Sequence, residues 1–190
     1  EEILKQLKAI AINENIKLAS INALGAINDF TIGVYKTDEK KYYSNKMEYR
    51  KFDNVIIARI DKGEEILKQL KAIAINENIK LGSINALGAI NDFTVGVYKT
   101  DEKKYYSNSF KGYYEITSLT GTINTMDGEY YAHLHLSAGN EKGEVFGGHL
   151  NRAVVSATCE LVITVIDGKV DRVYDEETGL NVFNFRTTKK

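Results

Sequence analysis

In EEILKQLKAIAINEN (Glu64–Asn78) the apolar side chains Ile66, Leu67, Leu70, Ile73 and Ala74 recur at three- and four-residue steps. That spacing lines them up along one stripe of a helix. Just ahead of it, NVIIARIDKG (Asn54–Gly63) carries an apolar, β-branched run from Val55 to Ile60 that predicts a strand. Asp61, three residues before Glu64, predicts an acidic variant of the capping box at the helix start. After the helix, IKLGSINALGAINDFTVGVY alternates and predicts two strands around a turn at AINDF. Downstream, YYEITSLTGTINTMDGEYYAHLHLS predicts a strand, a hairpin turn at MDGE and a returning strand. RAVVSATCELVITVIDGKVDRVYDEETGL predicts a long strand, a second Asp-Gly turn at Asp167–Gly168 and a closing strand. A helix with a single apolar stripe needs a sheet to cover. The expected fold class is therefore α+β: an antiparallel β-sheet domain with a packed helix.

Part of this pattern occurs twice. Glu1–Asn45 reappears as Glu64–Asn108 with only Ala19 replaced by Gly82 and Ile32 by Val95. Solenoid repeats are short units that drift and recur at least three times. Two long, near-identical copies read instead as a recent or engineered segment duplication. One sheet has one place for the helix, so the copies compete for it. The losing copy is displaced, packs peripherally or swaps into a neighbouring subunit, and a small subdomain made by residues 1–46 stays open as the alternative. Only the second copy follows a predicted strand and cap, and Met47 reads as an original start. The expected organisation is residues 1–46 as an extra or swapped partial duplicate of 64–108 (a helix plus two strands), and residues 47–190 as one complete domain.

Composition narrows the function classes. Lys plus Arg (25) nearly cancel Asp plus Glu (26), and non-specific nucleic-acid affinity comes mainly from neutralising phosphates. No basic run exists beyond the terminal RTTKK. The single cysteine, Cys159, excludes an internal disulfide framework and fits a reducing compartment. It lies in the apolar run VVSATCELVITVI, where a buried, inert thiol is expected. No stretch approaches the roughly 20 apolar residues of a membrane helix, so the expectation is a soluble, cytoplasmic protein. Proline is absent altogether, which excludes any DNA-binding motif that depends on it.

Candidate chemistry concentrates in AHLHLSAGNEKGEVFGGHL (Ala132–Leu150), which holds all three histidines. On a strand, His133 and His135 share one face while Leu134 and Leu136 share the other. His149 arrives after Gly147 and Gly148, which permit an unusual backbone or a close approach. Three histidines with an open fourth position match catalytic zinc, whose bound water becomes a usable nucleophile or acid. The alternative, side chains hydrogen-bonded in a sheet or subunit interface, stays open. A closed Cys-type zinc site is excluded, because there is no second cysteine. Glu144 and Glu160 are carboxylates that could orient a ligand or act as base beside a metal; the plainer reading of each is an ordinary turn or strand residue. Ser137 lacks a nucleophile elbow, and GNEKGEVFGG does not have phosphate-loop spacing. The tyrosine pairs at 105–106, 113–114 and 130–131 read as strand residues, one ring in and one ring out.

YYEITSLTGTI (Tyr113–Ile123), HLHLS (His133–Ser137), GEVFGGHL (Gly143–Leu150), ATCELVI (Ala157–Ile163) and RVYDEETGL (Arg172–Leu180) occur in an order that resembles the PPC domain, the plants and prokaryotes conserved domain. The likeness covers about residues 52–185. It implies a compact α+β fold that assembles as a homo-oligomer, usually a trimer. Plant members add a proline-containing AT-hook, which does not carry over to a chain without proline. Stand-alone prokaryotic members are commonly labelled DNA-binding proteins. The fold is also similar to that of the acetolactate decarboxylases, which hold zinc with an H-x-H pair and a third histidine. Carried over by residue, His133, His135 and His149 would be the ligands, although the spacing is not identical. Three expectations follow: an oligomeric binding module with a DNA-associated or regulatory role, a zinc-dependent enzyme of decarboxylase or hydrolase type, and a segment-duplicated PPC chain.

Overall fold

The computed structural model describes residues 2–19, 21 and 47–186, in a chain that divides into two units, Glu1–Thr31 and Ile32–Lys190. In the first unit, α1 (Ile3–Asn13) forms on the predicted apolar periodicity. It buries none of its residues, and Glu2 at its N-cap makes no side-chain hydrogen bond. The strands expected in the rest of the first copy, and the choice between a subdomain and a swapped segment, lie outside the described residues.

The second unit runs β1 (Glu48–Phe52), β2 (Val55–Asp61), α2 (Ile66–Asn76), β3 (Gly82–Lys99), β4 (Lys104–Met126), β5 (Glu129–Gly139), β6 (Val145–Val165), β7 (Asp171–Asp175) and β8 (Leu180–Asn184). The sheet order is β1-β2-β6-β3-β4-β7-β8, with β5 bridging β4 and β6. The four long strands therefore close into a ring: β6 pairs β3, β3 pairs β4, β4 pairs β5, and β5 returns to β6. All of these pairings are antiparallel, as expected.

Helix α2 has the sequence of α1 and the opposite environment. Ile66, Leu70, Ile73 and Ala74 are buried and join the cluster formed by the sheet residues Ile56, Ile60, Ile84, Ile90, Leu134, Leu136, Leu161 and Ile163. The second copy is thus the one that fills the core. Its neighbours explain the difference. Glu65 at the N-cap accepts hydrogen bonds from the amides of Leu67 and Lys68, and the amide of Ala153 on β6 donates to the same carboxylate at 3.2 Å. At the other end, the Tyr49 hydroxyl (3.0 Å) and Lys51 ammonium (3.1 Å) of β1 donate to Glu77. Both ends of α2 are fastened by residues that lie outside the helix sequence.

Three expectations are corrected. The cap is Glu65 and not the Asp61–Glu64 pair: Asp61 still belongs to β2 and forms an ion pair with Arg59 at 2.7 Å. AINDF is no turn. β3 runs through it as one strand, with register irregularities at Ala86/Gly88 and Ile90/Asp92, because β4 and β6 pair it on both sides and keep Ile90 and Phe93 in the core. Asp167–Gly168 does not close a hairpin either. The chain there crosses the sheet, so β7 lies parallel to β4 and forms its hairpin with β8, an element the sequence reading did not contain. The hairpin at Asp127–Gly128 is as expected, with φ of 53° and 82° at its two residues. Cys159 is buried, and burial pushes its thiol up to about 12. No helix among the described residues is long and apolar enough to cross a membrane.

Candidate metal centre

The register of the ring brings the three histidines together. On β5 the pleat turns His133 and His135 away from Leu134 and Leu136, which are buried in the core. Across the strand boundary His135 lies directly opposite His149, while His133 pairs with Thr122 on the other side. The ring centroids are 5.2 Å apart for His133–His135, 5.0 Å for His133–His149 and 5.7 Å for His135–His149. One nitrogen from each ring lies within 4.8 Å of the others. This is the group that sequence spacing predicted.

Two glycines make the approach feasible. Gly148 has φ of 156°, and a Cβ there would lie 2.6 Å from the Gly96 carbonyl oxygen of β3. On β4, a Cβ at Gly121 would lie 2.1 Å from the His133 carbonyl oxygen. Tyr105 sets its ring edge-on to His149 at 6.2 Å, and its hydroxyl donates to Asn151 at 2.6 Å.

The donor set fits a divalent transition metal. Zinc and its neighbours take neutral imidazoles, and the environments of His133 and His149 favour that form. Burial, then repulsion from His149, Arg172 and His135, depresses His133 to about 4. Burial, followed by His135 and Arg172, also lowers His149. Tetrahedral ligands on bonds of about 2.1 Å lie about 3.4 Å apart, so nitrogens within 4.8 Å of one another have at most roughly 1.4 Å to close. The depressed values also set a stability trend. Between about 4 and 6.5 the unfolded His133 binds a proton that the folded ring refuses, so its contribution is present above 6.5 and lost as pH falls through the folded value. The metal-free protein should lose roughly 1–2 kcal/mol across that window, a figure discounted for the partial exposure of the ring. Urea melts at pH 7 and pH 4.5 check this, and a His133→Gln variant should flatten the difference.

Neither carboxylate singled out in the sequence belongs to the group. Glu144 is in the β5–β6 loop and accepts from the Asn140 side chain at 2.7 Å. Glu160 is exposed on β6, opposite Arg59 in the register with β2. The side chain that does touch the cluster is Arg172 of β7, whose guanidinium approaches His133 Nδ1 at 3.5 Å. Sequence reasoning missed it, because its position depends on the unforeseen parallel pairing of β7 with β4.

The chain is similar to known proteins over the second unit. A family model for the Plants and Prokaryotes Conserved (PCC) domain matches residues 47–167. A candidate DNA-binding protein from Bacteroides thetaiotaomicron is 33% identical, with a TM-score of 0.71 over 73% of this chain and 97% of that one. A metal-containing protein from Archaeoglobus fulgidus is 29% identical, with a TM-score of 0.65 over 75% of this chain and 99% of that one. A plant- and prokaryote-conserved protein from Pyrococcus horikoshii is also 29% identical, with a TM-score of 0.64 over 75% and 97%. No curated protein matches the chain in sequence.

Proposed function

Because this chain belongs to the Plants and Prokaryotes Conserved domain family, we propose that it is a metal-binding module of that family, with zinc or a similar divalent ion held by His133, His135 and His149. The observation that carries this reading is the convergence of three imidazole nitrogens from two strands to within 4.8 Å. The metal-containing archaeal neighbour supports it. An ion held by three protein ligands keeps a position open and supplies Lewis acidity there. The chain's own part is to present three imidazoles from adjacent strands of the ring, with Leu134 and Leu136 anchoring β5 from behind. We associate the module with a homotrimer, and residues 1–46 with an added copy of a segment whose place 64–108 already fills.

The test is zinc titration of tag-free protein by calorimetry, with His133→Ala, His135→Ala and His149→Ala beside it. Wild type should bind about one ion per chain. Each variant should lose more than the roughly 10–100-fold that changes outside the ligand set cost. A wild-type protein that takes up no zinc, or variants that bind as it does, would end the reading.

The description of the Bacteroides neighbour favours a second reading, a nucleic-acid module. Phosphate contacts would then give steep salt dependence. With a net charge of -1, the expected result is no retention on a DNA column at about 50 mM salt, and firm retention released by salt would favour this reading instead.

A further inference from the structure

Arg172 is 7% exposed, and its guanidinium carbon lies over two aromatic rings, 4.8 Å from the Tyr131 centroid and 4.4 Å from that of Phe183. Nε donates to Asn124 Oδ1 at 3.2 Å, and one terminal nitrogen donates to the Asn181 carbonyl at 2.6 Å. The other terminal nitrogen faces His133 Nδ1 at 3.5 Å. All three acceptors are neutral, and no carboxylate pairs with Arg172 among the described residues. A buried cation without a counter-charge is costly. The ring faces offset part of that cost and leave the charge itself uncompensated. Of the five N–H donors of a guanidinium, three are engaged here, which leaves two.

The contact with His133 is incompatible with ligation by that ring. A ligating imidazole points one lone pair at the ion and carries a proton on its other nitrogen. If Nδ1 is the ligand atom, Arg172 competes for the same lone pair. If Nε2 is the ligand atom, Nδ1 carries a hydrogen that faces another donor. In both cases the Arg172 donor has to leave His133 when a metal is bound, and it is then a free cationic donor at the edge of the three-histidine group. The guanidinium is planar, so its donors act in one plane. That favours a planar partner over a tetrahedral one.

We infer that Arg172 is the anion-recognition residue of the three-histidine site, and that the ligand class is a small carboxylate, shared between the open metal position and the Arg172 N–H groups. The inference rests on the metal reading above. It also accounts for an arginine buried without an acid: the ligand brings the missing negative charge.

The experiment uses the full chain loaded with Co(II), whose visible spectrum reports on its ligands. Acetate or lactate should shift the Co(II) bands of wild type at millimolar concentration, and inorganic phosphate should do so much less. Arg172→Gln should bind Co(II) alone at least as tightly as wild type, because a competing donor is gone. Its response to carboxylate should weaken by about 10- to 100-fold, the range for removing a charge-assisted hydrogen bond. Arg172→Lys keeps the charge and loses the planar fork, and should fall between; it decides the matter if Arg172→Gln does not fold. A wild-type spectrum unmoved by carboxylate, an equal response to phosphate, or variants that respond as wild type would overturn the assignment while leaving the metal site standing. Absence of histidine-dependent Co(II) binding would instead remove the metal reading, and this inference with it. A merely structural Arg172 would cost stability and leave the carboxylate response intact.

Discussion

Ile73→Ala should destabilise the protein by about 3 kcal/mol, and Ile10→Ala by no more than about 0.5 kcal/mol. The two isoleucines occupy the same position of the same eleven-residue helix sequence, ILKQLKAIAIN. Ile73 has no exposed surface, whereas Ile10 is 52% exposed. Truncating Ile73 removes buried methyl groups and leaves a cavity against the sheet, both of which cost free energy. Truncating Ile10 returns little, because alanine is also the better helix former. Urea unfolding followed by circular dichroism measures both, each against wild type. Equal losses would mean that the two helices are equally packed in solution, and a larger loss at Ile10 would mean that the first copy fills the core.

Gly121→Ala should cost about 3 kcal/mol or more and weaken zinc binding in the protein that remains folded. The added Cβ would sit 2.1 Å from the His133 carbonyl oxygen and 2.7 Å from the Leu134 Cα. Both are backbone atoms in a strand pair, so no side chain can move aside to relieve the clash. β4 and β5 must separate where Gly121 faces Leu134, and His133 moves with its strand. Two measurements test this together: the urea midpoint, and zinc affinity at a temperature where the variant is folded. Wild-type affinity in a destabilised variant would show that the strand shifts as a unit with its partner histidines. Unchanged stability would contradict the close approach itself.

The elements with strong local signals were legible in the sequence. The 64–78 periodicity specified α2, because four of its five apolar positions are buried and Leu67 packs against the same cluster. Asp127–Gly128 specified its hairpin through backbone angles that few other pairs adopt at low cost. The H-x-H pair was readable because a strand has period two, and period two decides which side chains share a face. Features that depend on distant partners were not legible. AINDF has turn-forming residues, but two neighbouring strands hold it extended. Asp167–Gly168 has the same chemistry as Asp127–Gly128, yet no strand returns beside β6 there, because that edge is already occupied by β2 and β3. Arg172 could not be assigned from sequence for the same reason: only the crossing to β7 brings it to His133. The two copies of the helix make the limit plain, since no local rule separates α1 from α2.

The closed ring of strands has a weak seam. β5 meets β6 only over residues 135–139 against 145–149, whereas β3 follows β4 and β6 along almost its whole length. Local opening passes where the fewest backbone bonds must be broken, and here that is the junction of His135 with His149. The breathing of the fold and the integrity of the site are therefore one event. Whatever grips both histidines holds the seam shut, and each excursion that parts β5 from β6 dissolves the site and reforms it on closing.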